Sequence, residues 1–178
     1  MIEDILAKLI DKVENRYYGK YRGFVTDNND PDNLGRIKAK VPQLLGDQET
    51  GWCLPCIPYG GAQEQGFFAL PQMPKDPDKG AGVWIEFEGG DLSHPIWSGT
   101  WWSSGEVPES ATAAMKVFKT KNGHKIIIDD DKDVIEITHS SGSNLKIDSN
   151  GILLKNGSNK IELTGSSVSI NGGSLEVT

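Results

Sequence analysis

The sequence predicts an all-β protein built in two parts, and three observations carry that prediction. Short runs of alternating apolar and polar residues, separated by glycine, proline or Asx clusters, extend from Tyr17 to the end of the chain. All 9 prolines and all 5 tryptophans lie at or before Pro108, whereas the last 63 residues contain neither. Residues 1–115 hold 10 Lys and Arg against 17 Asp and Glu, while residues 116–178 hold 8 of each. Two differently built domains are therefore expected, joined near position 110.

Residues 1–16 predict a short amphipathic helix. Apolar residues recur there at helical spacing, with charged residues on the other side: Ile2, Ile5, Leu6, Leu9, Ile10 and Val13. A helix of this length is not stable without packing. Its apolar stripe is expected either to dock on the barrel of its own chain or to meet a partner or its own copies.

Residues 17–107 predict a small closed barrel of five or six strands. Ile37, Ala39 and Val41 alternate with basic residues, and Val83, Ile85 and Phe87 form one face of a later strand. Closing so few strands into a barrel removes their exposed edges, which favours an OB-like barrel over a sandwich. Cys53 and Cys56 lack the context of a redox or zinc site, so both are expected to be small buried hydrophobes.

Residues 108–115 predict a linker, and residues 116–178 predict a needle of short strands. Pairs of aliphatic residues recur at steps of 7 to 10 residues with turn-forming residues between them: Ile126, Ile128, Ile135, Ile137, Leu145, Ile147, Ile152, Leu154, Ile161, Leu163, Val168, Ile170, Leu175 and Val177. These steps do not fit the strict six-residue repeat of a left-handed single-chain helix.

Three chains wound together explain the repeats better than a solenoid of one chain, whose aliphatic residues would remain half exposed. In a homotrimer the 14 aliphatic residues meet on a central axis, and each strand finds hydrogen-bond partners in neighbouring chains. Seven levels spaced about 4.8 Å apart give a needle of roughly 35 Å.

The barrel region contains, in this order, "DPDNLGRIKAKVP", "GWCLPCIPYGG" and "GAGVWIEFEGGDLSHPIWSGTWW". In these stretches it resembles the OB-fold domain of spike-hub proteins from contractile injection machines, namely the baseplate assembly protein V family of phages and the valine-glycine repeat proteins of type VI secretion. The matching positions include two turns and the residues beside them: Asp30, Pro31, Asn33, Gly35, Arg36, Pro42, Gly90, Asp91, Pro95 and Gly99.

The resemblance implies a homotrimeric spike whose OB domain is followed by a triple-stranded intertwined β-helix. Such a spike is structural and not an enzyme: it is driven through a cell envelope when a sheath contracts. A short helix stands where type VI proteins have a large hub domain, so the phage branch is favoured and the hub or tube protein is expected to be another polypeptide. Assembly is expected in the bacterial cytoplasm, and the product is a phage tail or phage-tail-like particle.

The resemblance also implies a partner at the far end of the needle. Some spikes of the family end in an H-x-H motif that ligates a metal, and this chain lacks that motif. A separate tip protein, resembling the conical PAAR-repeat caps, is expected on a platform made by Leu175, Glu176, Val177 and Thr178. No catalytic residue, cofactor or metal ligand is predicted.

The remaining function classes are less well supported by composition. An acidic chain without clustered Lys or Arg does not favour nucleic acid or anionic membrane surfaces, and no apolar run approaches 18 residues. A glycan-binding trimeric tail fibre would show aromatic residues on the needle, where Phe118 stands alone. An OB-fold nucleic-acid binder would need basic and aromatic residues alternating on its strands. These two remain as alternatives.

Overall fold

The structure, a computed structural model, describes residues 2–61, 63–73 and 80–177. It divides into two compact units, Met1–Ser103 and Ser104–Thr178. The described part of the first unit contains α1 (Ile2–Glu14), β1 (Tyr21–Asp27), β2 (Lys38–Lys40), α2 (Pro42–Leu45), β3 (Leu54–Pro55), β4 (Gly82–Phe87) and β5 (Pro95–Trp101). That of the second contains β6 (Met115–Lys119), β7 (Lys125–Asp129), β8 (Val134–Thr138), β9 (Asn144–Asp148), β10 (Gly151–Asn156), β11 (Asn159–Leu163), β12 (Val168–Ile170) and β13 (Leu175–Val177).

The first unit is a small closed barrel. Its strands pair in the order β2-β1-β4-β5-β3, antiparallel except for β3, which runs parallel to β5. The two ends of this sheet meet where Ile37 and Cys53 exchange backbone hydrogen bonds of 3.3 and 2.7 Å. Because this bridge joins the outer strands, the barrel leaves no long open edge.

The interior of the barrel is filled by alternate residues of its strands. The side chains that define this core are almost completely buried: Val25, Ile37, Ala39, Val41, Cys53, Val83, Ile85, Phe87 and Trp97. Successive residues of a strand face opposite sides, so Trp84 and Glu86 point outward between these core residues. Both alternating runs that the sequence predicts to line the barrel do so.

A β-bulge in β5 places two tryptophans on opposite faces of the barrel wall. Val83 pairs with Thr100 and Ile85 with Trp97, so β5 holds one extra residue between these pairs. Gly99, at φ +123°, accommodates the bulge. Trp97 therefore fills the core, whereas Trp101 lies outside against Gly82, where an added Cβ would approach its ring to 2.5 Å.

Asp30 organises the turn that precedes β2. Its carboxylate accepts hydrogen bonds from the backbone N–H groups of Asp32, Leu34 and Arg36, at 3.1, 2.7 and 3.2 Å, and from the Arg36 guanidinium at 2.6 and 3.0 Å. The Asp30 side chain is only 3% exposed, and its bond to Arg36 is the main cause that lowers the pKa of its carboxyl below the ordinary value. The turn is thus built around one ionised group.

Substituting Asp30 by asparagine is expected to lower the melting temperature of the barrel by several degrees, because the amide removes the charge that five donors converge on. Tryptophan fluorescence reports this transition selectively, since all five tryptophans lie in the first unit. Asp32→Asn is the matched control, because that side chain is 65% exposed and its ion pair with Arg36 is peripheral. Equal melting temperatures for the two variants would contradict this role of Asp30.

The same carboxylate has a predictable pH dependence. Because the folded-state pKa of Asp30 is lowered, its contribution to stability is complete above the unfolded-state pKa and declines as the pH falls below about 4. We therefore expect the difference in melting temperature between the wild type and Asp30→Asn to shrink as the pH is lowered from 7 to 3.

The two cysteines lie in different environments. Cys53 is buried at the barrel closure, next to Thr50 Oγ1 at 3.2 Å, and burial raises the pKa of its thiol to about 11. Cys56 is exposed, although its N–H donates to the Trp97 carbonyl at 2.8 Å. The prediction that both are buried is right for Cys53 and wrong for Cys56, because the short β3 turns that side chain outward.

The second unit is a sheet whose strands follow one another in chain order. Strands β6 to β13 pair consecutively and antiparallel. The turn-forming residues between the aliphatic pairs connect neighbouring strands of the same chain. The sequence led to the expectation that each strand pairs with strands of other chains. In the structure, short reversals let each strand pair with the next strand of its own chain.

The segment before β6 is tied to this sheet by ion pairs. Pro108–Ser110 form one 3-10 turn, and Glu109 receives hydrogen bonds from Lys119 at 2.5 Å and Lys125 at 2.9 Å. These lysines, Lys119 foremost, lower the pKa of Glu109 to about 2. Much of the segment 108–115 is therefore attached to the second unit, while the boundaries proposed from the sequence remain predictions.

Candidate trimer interface

The aliphatic pairs of the second unit form two columns on one face of its sheet. Each column consists of residues that lie directly opposite one another on successive strands. The first column is Ile128, Ile135, Ile147, Ile152, Leu163, Val168 and Val177, and the second is Ile126, Ile137, Leu145, Leu154, Ile161, Ile170 and Leu175. All 14 residues predicted for the trimer core thus hold register positions on one surface, which we call the apolar face.

The apolar face is uncovered in the single chain. Most of its described side chains are between 37% and 57% exposed, while Leu145 and Ile170 are half-buried. Within the described part of the chain, every buried hydrophobic residue belongs to the first unit. The second unit is consequently a single layer without a hydrophobic core of its own, and a sheet of this kind needs another layer to cover its apolar side.

The reverse face of the sheet is largely polar. Glu136 lies opposite Lys146, and ion pairs join Lys146 to Asp148 at 2.7 Å and Lys160 to Glu162 at 2.8 Å. Hydrogen bonds from Thr138 and Asn144 and the positive charge of Lys125 and Lys146 lower the pKa of Glu136. This contrast between the two faces indicates that the apolar face is covered and that the reverse face meets solvent.

Phe118 also lies on the apolar face, although it is not among the residues predicted from the sequence. It lies opposite Ile126 and so extends the second column onto β6, with 49% of its surface exposed. Lys116 holds the equivalent position in the first column, where its ammonium group pairs with Asp130. Alternation in "KVFK" puts Lys116 and Phe118 on the same side of β6, and the register of β6 on β7 shows that this is the side of the aliphatic pairs.

The predicted tip platform is described only in part. Leu175 continues the second column and is 57% exposed, and Glu176 and Val177 hold register positions opposite Ser169 and Val168. The side chains of Glu176 and Val177 and the whole of Thr178 lie outside the described residues. The platform therefore stays a prediction.

The predicted motif residues of the barrel shape turns. Besides Asp30 and Arg36, Asn33 and Gly35 adopt positive φ angles of 54° and 74°, Pro31 lies inside that turn, and Pro42 begins α2. Gly90 and Asp91 lie in the β4–β5 connection, where Asp91 accepts a hydrogen bond from the Ser93 N–H at 3.0 Å, and Pro95 begins β5. Most of these residues thus lie in or beside two separate turns and not in one pocket, while Gly99 lies at the β5 bulge.

The histidines of the second unit also have structural contacts. The rings of His124 and His139 are 4.5 Å apart, and their Nδ1 atoms accept backbone N–H groups from Ser140 and Ser141 at 3.3 and 3.2 Å. Among residues 2–61, 63–73 and 80–177, no group of three or more His, Cys, Asp or Glu is arranged to hold a metal ion. No helix in these ranges is long and apolar enough to cross a bilayer.

Two family models match the chain, each over one of the units described above. Residues 21–102 match the type VI secretion system/phage-baseplate injector OB domain. Residues 115–176 match the phage baseplate V C-terminal trimerisation domain. The chain belongs to the phage baseplate V family. A comparison with curated proteins gave no match.

Membership of the phage baseplate V family is consistent with the uncovered apolar face. The second unit matches a trimerisation domain, which supports a homotrimer. Coverage of the apolar face by two further copies stays a prediction. The all-β class predicted from the sequence, with an OB-fold and a trimerisation domain, is confirmed. Both families are structural baseplate domains. The winding of three chains around one another as a β-helix stays a prediction.

Proposed function

We propose that three copies of this phage baseplate V protein form the central spike of a contractile tail, which sheath contraction drives through a cell envelope. The observation that carries the proposal is the apolar face, two continuous aliphatic columns over a unit without its own hydrophobic core. Three such faces turned inward make a closed rod, in which the 14 aliphatic positions of each chain would meet around a common axis.

The arrangement of the strands suits a rod that is loaded along its length. Eight strands stacked at about 4.8 Å give a sheet roughly 34 Å tall, with its backbone hydrogen bonds running along the stacking direction. A force along that direction compresses the stack and does not peel strands from an edge. This geometry supports a mechanical role for the trimer.

The partners follow from the proposed place of the spike. The OB domain would bind the hub or tube protein of the tail, and the β13 end would carry a separate tip protein, as the residues of the predicted platform suggest. The trimer would assemble in the bacterial cytoplasm and function as part of a phage tail or phage-tail-like particle. None of these steps requires a cofactor.

The test compares particles that carry the wild-type chain with particles that carry Leu154→Asp, a change on the apolar face. Immunogold labelling is expected to locate the wild-type protein at the axial end of the baseplate. We expect Leu154→Asp particles to lose membrane permeabilisation of target cells, measured by entry of a DNA-binding dye. Labelling along the side fibres, or full permeabilisation by particles without a trimeric spike, would overturn the proposal.

A further inference from the structure

The helix α1 presents an apolar stripe that is not covered by its own chain. Its aliphatic side chains are each about half exposed or more: Ile2, Ile5, Leu6, Leu9 and Ile10, at 48% to 77%. An isolated helix of 13 residues is only marginally stable in water, so α1 needs a packing partner for this stripe. The sequence left open whether this stripe docks on the barrel of its own chain or meets a partner or its own copies. These exposures do not show docking on the barrel.

The carboxyl end of α1 is attached to the barrel, although the apolar stripe of the helix stays exposed. Directly after the helix, the Tyr17 N–H donates to the Gly90 carbonyl at 2.9 Å. The Arg16 guanidinium pairs with Asp91 at 3.3 Å. Gly90 has φ +76°, and an added Cβ would come within 3.0 Å of the Tyr17 nitrogen, so the chain runs close over this turn. The helix therefore has a defined point of departure from the β4–β5 connection.

The spacing of the stripe is that of a helix which packs against copies of itself. Ile2, Leu6 and Leu9 are separated by four and then three residues, as core positions of a heptad are. Val13 continues the spacing in sequence. Ile5 and Ile10 flank this line and widen the stripe. A stripe wider than the two core positions suits a bundle of more than two helices.

The C-terminal trimerisation domain supplies the copies that this stripe needs. Three chains held in one molecule bring three α1 helices to an effective concentration in the millimolar range for short connections, far above that of free chains. Threefold symmetry makes three helices around the axis parallel, with equivalent residues facing one another. Other copies of the same chain are therefore present to cover the stripe wherever the trimer is assembled.

We propose that the α1 helices of the three copies pack together as a parallel three-helix bundle, with Leu6 and Leu9 in its core. The bundle adds a second trimer contact, formed by the amino-terminal segment and linked through Arg16 and Tyr17 to each barrel. This inference rests on the trimer of the proposed function. It adds an interface that the trimerisation domain does not contain.

Cysteine cross-linking in the full-length protein tests the bundle. Leu6→Cys is made in a Cys56→Ser background, because Cys56 is the exposed native thiol and Cys53 is buried. Ala7→Cys is the matched control, since it lies one residue along and about 100° around the helix. A disulfide needs Cα atoms about 4.4–6.8 Å apart, which only a core position of a parallel bundle offers. Light scattering on the same samples reports whether the chain is a trimer.

The expected result is a trimer in which mild oxidation gives about tenfold or more covalent dimer for Leu6→Cys than for Ala7→Cys, because the core thiols are held together. Leu9→Cys should behave like Leu6→Cys and serves if that variant misfolds. A trimer with equal cross-linking at core and control positions overturns the bundle but leaves the spike, and the stripe is then available to another protein. A monomer overturns both proposals.

Discussion

Replacing Leu154 by aspartate is expected to dissociate the trimer. Leu154 lies in the second column, opposite Leu145 and Ile161, and is 43% exposed in the single chain. Covering such a side chain contributes up to about 1.5–3 kcal/mol per copy. The variant trimer loses this burial free energy three times. It also brings three carboxylates together in a dry core, where each buried charge costs several kcal/mol. Light scattering should show a fall from three chains to one, where one chain has a mass of 19.4 kDa.

Leu153→Asp is the matched control for this experiment. Leu153 is the neighbouring residue on the same strand, but it lies on the reverse face, opposite Lys146 and Glu162. A new carboxylate there would be near a lysine and solvent, so the trimer should persist. If Leu153→Asp dissociated the protein and Leu154→Asp did not, the assignment of the two faces would be inverted and the interface described here would be wrong.

The second large effect is expected for Gly151→Ala. Gly151 has φ +135°, and a Cβ at this position would lie 1.9 Å from the carbonyl oxygen of Leu163 on the neighbouring strand. The backbone of β10 or β11 must therefore move, and overpacking of this kind typically costs about 1–3 kcal/mol and occasionally more. β10 lies near the middle of the sheet, and each of the three copies carries the substitution. Thermal unfolding followed by circular dichroism should show a clearly lower transition for the second unit.

Gly157→Ala is the control that measures the backbone conformational strain without the steric clash. Gly157 also has a positive φ, +61°, but no atom lies within 4 Å of the position where its Cβ would be. Alanine there should cost only the left-handed conformation, about 1–2 kcal/mol. A transition for Gly157→Ala as low as that of Gly151→Ala would mean that close packing of β10 on β11 is not what requires glycine.

Alternation of apolar residues was sufficient to predict which residues line the barrel of the first unit and which lie on the apolar face of the second. Ile37, Ala39 and Val41 line the barrel, and the aliphatic pairs fall on one face of the second unit. Both assignments follow from the alternation of side-chain direction along a β-strand, which can be read from local sequence alone. The same alternation predicts that the apolar face needs a partner, because it puts an aliphatic pair on one side of every strand from β7 to β13.

Features that depend on pairing between distant segments could not be predicted in this way. The extra residue at Gly99 reverses the side to which Trp101 points, and no alternation pattern records such a bulge. The exposure of Cys56 follows from its position after the short β3. Phe118 needed the register of β6 on β7. The network of Asp30 required the folded loop that returns Arg36 to it.

The consecutive pairing of β6 to β13 has a consequence for how the protein assembles. Each strand pairs with its immediate neighbour in sequence across a short reversal, so the sheet can grow by zipping from any hairpin, with little loss of loop entropy. Hairpins form within about 1–10 μs, long before three chains meet at ordinary concentrations. Pairing within each chain can then precede oligomerisation, and the rate of trimer formation should depend steeply on how much chain a producing cell makes.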